Sequence, residues 1–229
     1  MGEVPKGEAP RGAVLQRDKE TYMIIPRLVG GMITAGILKR FAEVAEKYQV
    51  PMVKITGAQR IALFGVKADQ VESIWQDLGM EPAPTGKKIL KSVKICPGLL
   101  YCKNARQDAM SLGLKLEERF LGMALPGKFK IGVSGCPNNC AEGWIKDFGV
   151  FGRAKGYTVV VGGKLGKDPC LGRAMYEGLT EDDVLAMAEK MLTLYKENAN
   201  PGERLGKVLE RLGNYELMPP PGIDPAREK

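Results

Sequence analysis

The spacing of apolar residues in the first third of the chain predicts short strands and two amphipathic helices. Apolar segments at 21–28, 51–56 and 61–66 have the length of strands. A stripe of apolar residues at helical spacing begins at Thr34, and a second stripe ends at Gly79, a residue type that favours helix ends. The order strand–helix–strand–strand–helix predicts a compact α+β unit with an antiparallel sheet.

Three further helices are predicted in the rest of the chain. Residues 105–120 have helical spacing, with an interruption or weakening expected at Gly113. Thr180 and Asp183 are spaced as a capping box for a long helix. A last helix is expected to end near Gly213.

Two strand-like segments lie between these helices. KFKIGV (128–133) alternates between polar and apolar residues, so Lys128 and Lys130 are expected on one face of a strand. Such a pair is often only a solvated face, although an anion between the two ammonium groups would relieve their repulsion. Residues 149–163 predict a hairpin that turns near 154–156.

These patterns divide the chain into four predicted regions. Residues 1–18, rich in glycine, proline and charge, are expected to form a flexible arm. A first α+β domain is predicted at 19–84 and a second at 85–199, with EPAPTG (81–86) as the linker. Residues 200–229 are expected to hold a C-terminal helix and a proline-rich tail.

Composition indicates an ordinary globular protein and excludes several kinds of site. The chain has 229 residues, of which 44% are hydrophobic and 27% charged, and no apolar run long enough to cross a membrane. With no apolar signal segment at the start, a cytoplasmic protein is expected. The net charge of +7 lacks the aromatic–basic pattern of RNA-binding modules, which disfavours nucleic acid. Because the chain has no histidine, catalytic sites and haem ligation that need imidazole are excluded.

The cysteines are the residues best suited to hold a metal. Cys96 and Cys102 form a C-x5-C pair, and Cys136 and Cys140 form a C-x3-C pair. Disulfides are disfavoured without an export signal, and neither pair has the C-x2-C spacing usual for zinc. Four thiolates around an iron–sulfur cluster are therefore favoured, with zinc as the alternative. Cys170 stands apart and is expected to be a buried structural thiol.

The residues around these cysteines carry a family resemblance. ICPGLLYC followed by SGCPNNCAEGWIKDFGVFGRAKGYTVVVGG closely resembles the nitrite and sulfite reductases that depend on siroheme and a 4Fe–4S cluster. The run VKITGAQRIALFGV, within 51–66, is similar to the N-terminal part of the family repeat. The resemblance covers most of residues 20–195 and includes one repeat, as in the small assimilatory-type sulfite reductases.

The resemblance implies both the fold and the cofactors. The fold class is α+β, with a ferredoxin-like half-domain followed by an α+β domain that binds siroheme and the cluster. Cys96, Cys102, Cys136 and Cys140 would hold the 4Fe–4S cluster. By its place in the motif, Cys140 would also bind the siroheme iron, which explains how the chain functions without histidine.

Candidate catalytic cations and cofactor contacts follow from the same motif positions. Lys128 and Lys130 would hold the anionic substrate and supply protons, and Lys94 is a possible third cation. Gly162 and Gly163 are expected to allow close approach of the backbone to the cofactor. The candidate cofactor contacts are Thr56, Gln59, Arg60, Asn138, Cys140, Gly162 and Gly163.

One position departs from the family pattern. Where the family commonly has T-x-R-Q, this chain has Thr56-Gly57-Ala58-Gln59, so an alanine replaces an arginine that contacts substrate or cofactor. Arg60 could serve instead, but two positions along a strand would move it by about 6–7 Å. The departure leaves the substrate and the catalytic efficiency open.

The predicted function is the six-electron reduction of sulfite to sulfide, or of nitrite to ammonia. The chain has no flavin or nicotinamide motif, so electrons would come from a separate donor such as a ferredoxin. Because two-repeat relatives pair their halves, a homodimer is expected in which the Lys128 and Lys130 side chains of one subunit face the siroheme of the other. The alternatives are a non-catalytic iron–sulfur or siroheme carrier and an oxygenase of corrin synthesis.

Overall fold

The computed structural model describes residues 9–86 and 88–213, and these fall into two compact units that divide between Thr85 and Gly86. The first unit contains four strands and two helices: β1 (Ala13–Leu15), β2 (Tyr22–Ile24), α1 (Ala35–Lys47), β3 (Met52–Ile55), β4 (Ile61–Val66) and α2 (Val71–Leu78). Its sheet has the order β1-β2-β4-β3, and every neighbouring pair is antiparallel.

Local sequence signals set the helix ends of the first unit. The Thr34 hydroxyl accepts the N–H of Ile37 at 3.2 Å and caps α1. Gly79 ends α2 in the left-handed conformation, with φ of 57°. Both helices pack one apolar face on the sheet, and the core comprises Ile24, Leu28, Phe41, Val44, Leu63, Val66, Val71, Ile74, Trp75 and Leu78.

Two predictions for the first unit need correction. The expected arm at 1–18 contains β1, and the Trp75 indole donates to the carbonyl of Arg11 at 2.8 Å, so part of the arm is packed; residues 1–8 lie outside the described range. The predicted strand at 21–28 is shorter, because Pro26 has no N–H to continue a ladder and forms only an isolated bridge with Pro82.

The second unit contains a five-stranded mixed sheet and three helices. The elements are β5 (Val93–Ile95), α3 (Ala109–Phe120), β6 (Ile131–Ser134), β7 (Phe148–Arg153), β8 (Gly156–Val161), β9 (Arg173–Leu179), α4 (Glu181–Asn198) and α5 (Leu205–Arg211). The sheet order is β5-β6-β7-β8-β9; the first three strands are parallel and the last two pairs antiparallel. The hairpin turn falls at Ala154–Lys155, as predicted, and Thr180 and Asp183 form the predicted capping box.

Two predictions for the second unit are wrong in detail. Helix α3 is continuous at Gly113, where a Cβ would lie 2.6 Å from Ile95, so the glycine permits close packing on β5. The strand predicted at 128–133 begins only at Ile131, because the N–H of Lys130 donates to the Asp147 carboxylate. Helix α5 lies within the predicted 200–229 region and packs into the core shared with residues 85–199, and the predicted proline-rich tail lies outside the described residues. Within the described residues, no helix is long and apolar enough to cross a membrane.

Candidate functional site

The two cysteine pairs lie at one edge of the sheet of the second unit. Cys96 directly follows β5, and Cys136 follows β6 after Gly135. Because β5 and β6 are parallel neighbours, their carboxyl ends lie side by side, and the N–H of Cys96 donates to the carbonyl of Val133 at 3.1 Å. The topology therefore brings together the loops of two motifs that are 40 residues apart in the sequence (Cys96 to Cys136).

Gly135 connects the two cysteine loops. Its N–H donates to the Cys96 sulfur at 3.1 Å, and its carbonyl accepts the N–H groups of Arg106 and Gln107 at 2.7 and 3.1 Å. A Cβ at residue 135 would lie 2.9 Å from the Gln107 carbonyl and 3.2 Å from the Gly98 Cα. Only glycine fits here without displacing the loops.

The environment of the four sulfurs suits an iron–sulfur cluster. Cys136 is buried, Cys96 and Cys102 are half-buried, and Cys140 is exposed. Burial raises the pKa of Cys96, the Gly135 N–H opposes this shift, and the charges of Cys140 and Cys136 add to it, which places three of the sulfurs within electrostatic reach of one another. An all-sulfur donor set with an N–H directed at sulfur is typical of such clusters.

A single metal ion needs its ligands closer together than an iron–sulfur cluster does. Across residues 9–86 and 88–213, no three cysteine or acidic side chains are grouped closely enough to hold one ion. In a 4Fe–4S cube each cysteine binds its own iron, so its ligands are more widely separated than those of one zinc ion.

Side chains within the second cysteine loop fix its shape. The Ser134 hydroxyl accepts the N–H of Ala141 at 2.9 Å, and the Asn139 amide oxygen accepts the N–H of Gly143 at 2.8 Å. Asn139, with φ of 53°, thus has a structural role that the sequence analysis missed. The neighbouring candidate Asn138 is exposed, and with Cys136 it lines a hollow of about 380 Å³.

Cys170 does not have the predicted surroundings. The side chain is exposed, so the expectation of a buried structural thiol is wrong. Its backbone pairs with Lys164 in an isolated bridge, and its sulfur lies 3.5 Å from the carbonyl of Gly162. Two of the five cysteines, Cys140 and Cys170, are thus exposed.

Lys94, two residues before Cys96, is held in an ion-pair cluster by Glu142, which lies two residues after Cys140. Its ammonium donates to Glu142 at 2.7 Å, and Lys146 donates to the other oxygen of the same carboxylate at 2.8 Å. Lys146 and then Lys94 lower the pKa of Glu142 to about 2. Lys94 is therefore paired with Glu142, a carboxylate that it shares with Lys146, and neither Glu142 nor Lys146 was predicted from the sequence.

Lys128 and Lys130 lie at the other end of β6 from the cysteines. Both side chains are exposed and the intervening Phe129 is buried, so the predicted alternation is present although the segment precedes the strand. Lys130 comes directly before β6 and Cys136 comes after it, and the four strand residues between them rise about 13 Å. Partial burial and the positive charges of Lys146 and Arg204 lower the pKa of Lys130.

Gly162 and Gly163 approach the protein's own backbone closely. A Cβ at residue 163 would lie 2.3 Å from the carbonyl oxygen of Trp144 and 2.8 Å from that of Lys146. A Cβ on Gly206 would lie 2.4 Å from the carbonyl of Gly162. At Gly163 the close approach is thus to the protein's own backbone, and at Gly162 a φ of 84° favours glycine; the cofactor contacts of both glycines stay predictions.

The candidates of the first unit form the turn between β3 and β4. The hydroxyl of Thr56 accepts the N–H of Arg60 at 3.3 Å, and the Thr56 N–H donates to the Arg60 carbonyl at 2.8 Å. Gln59, with φ of 55°, completes the turn. Ala58 and Arg60 therefore lie in the same turn, two positions apart. The expectation that Arg60 is displaced along a strand is wrong, because neither residue is in a strand.

Comparison with known proteins assigns both units to one family. Residues 85–219 match the nitrite and sulphite reductase 4Fe-4S domain, and residues 14–81 match the nitrite/sulfite reductase ferredoxin-like half domain. The chain belongs to the nitrite and sulfite reductase family. The predicted resemblance, α+β fold class, siroheme and 4Fe–4S cofactors and oxidoreductase class are thereby confirmed.

Relatives in this family include both sulfite and nitrite reductases. The chain is 37% identical over 206 residues to the assimilatory-type sulfite reductase of Nitratidesulfovibrio vulgaris, covering 90% of this chain and 94% of that protein. It is 42% identical over 201 residues to the nitrite reductase [NAD(P)H] of Bacillus subtilis, covering 88% of this chain but 25% of that protein.

A solved structure shows the same fold. The dissimilatory sulfite reductase I crystal structure superposes with a TM-score of 0.72 at 16% identity, over 84% of this chain and 67% of that one.

Proposed function

We propose that this member of the family reduces sulfite to sulfide with six electrons from a separate protein. The observation that carries the proposal is the convergence of the two cysteine motifs at the carboxyl ends of β5 and β6. The match to an assimilatory-type sulfite reductase over 94% of its length supports sulfite as the substrate. We further propose that it works in the cytoplasm, where its thiols stay reduced.

The residues of the chain then have distinct roles. Cys96, Cys102, Cys136 and Cys140 would hold the cluster, and Cys140, the exposed one of the four, would also be the siroheme ligand. When bound, the siroheme and cluster would pass electrons from the donor protein to the substrate. Lys128 and Lys130 attract the anion and donate protons to oxygens that leave as water. Glu142 holds Lys94 and Lys146 beside the Cys140 loop.

Steady-state turnover of sulfite and nitrite on one reconstituted preparation tests the assignment. We expect siroheme absorption bands, and a larger kcat/KM for sulfite than for nitrite, with reduced methyl viologen as the donor. A larger value for nitrite would reassign the substrate. Siroheme bands without turnover of either anion would favour a carrier, a possibility raised by the uncharged Ala58 in the position of the family's arginine.

We also propose that the active site is shared between two copies of the chain. Lys128 and Lys130 precede β6 while the cysteines follow it, so the anion-binding lysines and the cluster of one subunit are separated along the strand. A two-fold pair could place the lysines of each subunit over the cofactor of the other.

Mixed dimers test this sharing. Cys140→Ala and Lys130→Ala subunits carrying different tags are each expected to be inactive as homodimers. If the site is shared, the tandem-purified mixed dimer regains about half of the wild-type activity, because one of its two sites is then intact. A mixed dimer as inactive as its parents, or a monomeric active enzyme, contradicts the proposal.

The electron donor is proposed to be a small acidic ferredoxin. Leu99, Leu100 and Tyr101, in the first cysteine loop, are 55%, 67% and 85% exposed. Arg106 and Arg153 line the hollow beside Cys136, and Arg106 has no acidic partner among the described residues. An apolar patch next to positive charge is complementary to an acidic electron-transfer protein.

Charge reversal tests this docking face. We expect Arg106→Glu to raise the KM for a reduced acidic ferredoxin about tenfold and to leave turnover with reduced methyl viologen unchanged. Lys196→Glu, on an exposed position of α4, is the matched control and should change neither value. Equal effects of the two reversals, or a loss of viologen turnover in Arg106→Glu, would argue against docking at this face.

A further inference from the structure

A buried carboxylate lies beneath the segment that carries Lys128 and Lys130. Asp147, the residue before β7, is 0% exposed. Its Oδ2 accepts the backbone N–H of Lys130 at 2.8 Å. Arg204, at the start of α5, donates Nε to Oδ1 at 2.9 Å and Nη2 to Oδ2 at 2.5 Å. One carboxylate thus ties together the residue before β6, the start of β7 and the start of α5.

Lys130 has a particular set of charged neighbours. The groups that act on its ammonium are Lys146, Arg204, Asp147 and Lys128. Lys146 is paired with Glu142, and Arg204 with Asp147, whereas the Lys130 side chain has no hydrogen-bond partner within the described residues. Among the described residues, Lys130 and Lys128 are therefore the cations of this group without an acidic partner, whereas Lys146 and Arg204 are held by carboxylates.

We propose that Asp147 and Arg204 are positioning residues for Lys130: the carboxylate holds its backbone N–H, and the pair presents two opposite charges to its ammonium. The inference rests on the proposed function. In that reaction Lys130 transfers its proton to a sulfite oxygen that already carries one proton from solvent. The S–O bond breaks as sulfur takes up two electrons, the oxygen leaves as water, and solvent reprotonates the amine. The electrons that reduce sulfur come from the donor protein.

The two members of the pair have opposite effects on Lys130. Asp147 raises the pKa of Lys130, whereas Arg204 lowers it. Loss of the Asp147 charge leaves Lys130 facing uncompensated positive charge, so its pKa should fall. Loss of the Arg204 charge removes a repulsion, so its pKa should rise. A purely structural salt bridge predicts the same change in both variants, because each breaks the same pair.

Two measurements on the holoenzyme test the proposal. The first titrates Lys130 directly, by NMR of reductively ¹³C-methylated protein, with its signal assigned from Lys130→Arg. The second is the pH profile of kcat/KM for sulfite with reduced methyl viologen. Relative to wild type, we expect the Lys130 pKa and the alkaline limb of the profile to move down in Asp147→Asn and up in Arg204→Gln, each by about half a pH unit or more.

Arg204→Lys is the conservative control, because it keeps the charge but loses the bidentate geometry. In Arg204→Lys the Lys130 pKa should remain near the wild-type value. If Asp147→Asn does not fold, the comparison of Arg204→Lys with Arg204→Gln still tests the proposal. The proposal is overturned if the Lys130 pKa moves in the same direction in Asp147→Asn and Arg204→Gln, or does not move. It is also overturned if the Lys130 pKa moves while the pH profile of kcat/KM does not. A wild-type enzyme with no sulfite turnover would instead refute the proposed function, and the NMR titration is independent of that outcome.

Discussion

Replacing Cys140 by alanine is expected to abolish sulfite reduction, while the same change at Cys170 leaves it intact. Both side chains are exposed cysteines of the second unit, so they form a matched pair for solvent access and for the loss of a thiol. They differ in position: Cys140 lies in the loop that the Gly135 contacts join to Cys96, whereas the Cys170 sulfur lies against the carbonyl of Gly162 and its backbone pairs with Lys164.

Loss of a metal ligand exceeds the effect of losing an outer partner, which typically costs 10–100-fold. We therefore expect turnover with reduced methyl viologen to fall by more than about 100-fold in Cys140→Ala, with loss of the siroheme bands. Cys170→Ala should keep wild-type turnover, iron and inorganic sulfide. Siroheme bands and activity that survive in Cys140→Ala would remove this residue from the site, and equal losses in both variants would indicate nonspecific damage to the fold.

Signals contained in short stretches of sequence predicted the fold and the cluster ligands. Thr34 and Thr180 cap helices with their own neighbours, and Gly79 ends a helix by its own backbone conformation. The two cysteine pairs are likewise local motifs. The strand predicted at 128–133 ends close to Cys136, but β5, which precedes Cys96, has only three residues and was not recognised. The convergence of the two pairs was therefore implied by the family resemblance and not by predicted strand ends.

The contacts that hold the lysines could not be predicted, because their partners are distant in the sequence. Lys94 pairs with Glu142 across 48 positions, and Arg204 pairs with Asp147 across 57. A glycine signals that something approaches closely but does not identify what approaches. At Gly163 the neighbours are the carbonyls of Trp144 and Lys146, which only the folded chain brings there.

The second large effect is expected from adding one methyl group at Gly149. This residue lies in β7, and a Cβ there would be 2.3, 2.5 and 2.6 Å from the O, C and Cα atoms of Gly143. All three are backbone atoms, so no side-chain rotation relieves the overlap. Gly143 follows Glu142 in the loop of Cys140, and its N–H is held by Asn139. The strand and the cysteine loop must therefore separate in Gly149→Ala.

We expect Gly149→Ala to lower the free energy of unfolding by about 2 kcal/mol or more and to reduce the bound iron and sulfide, because overpacking commonly costs about 1–3 kcal/mol. Gly36→Ala is the control: its Cβ would lie 3.8 Å from the nearest atom, the Thr34 hydroxyl, and alanine in an exposed helix is favoured over glycine by up to about 1 kcal/mol. Urea unfolding followed by circular dichroism, with iron and sulfide assays, measures both variants. If Gly149→Ala unfolds at the wild-type urea concentration with a full cluster, the loop accommodates the methyl group and β7 does not set the position of Cys140.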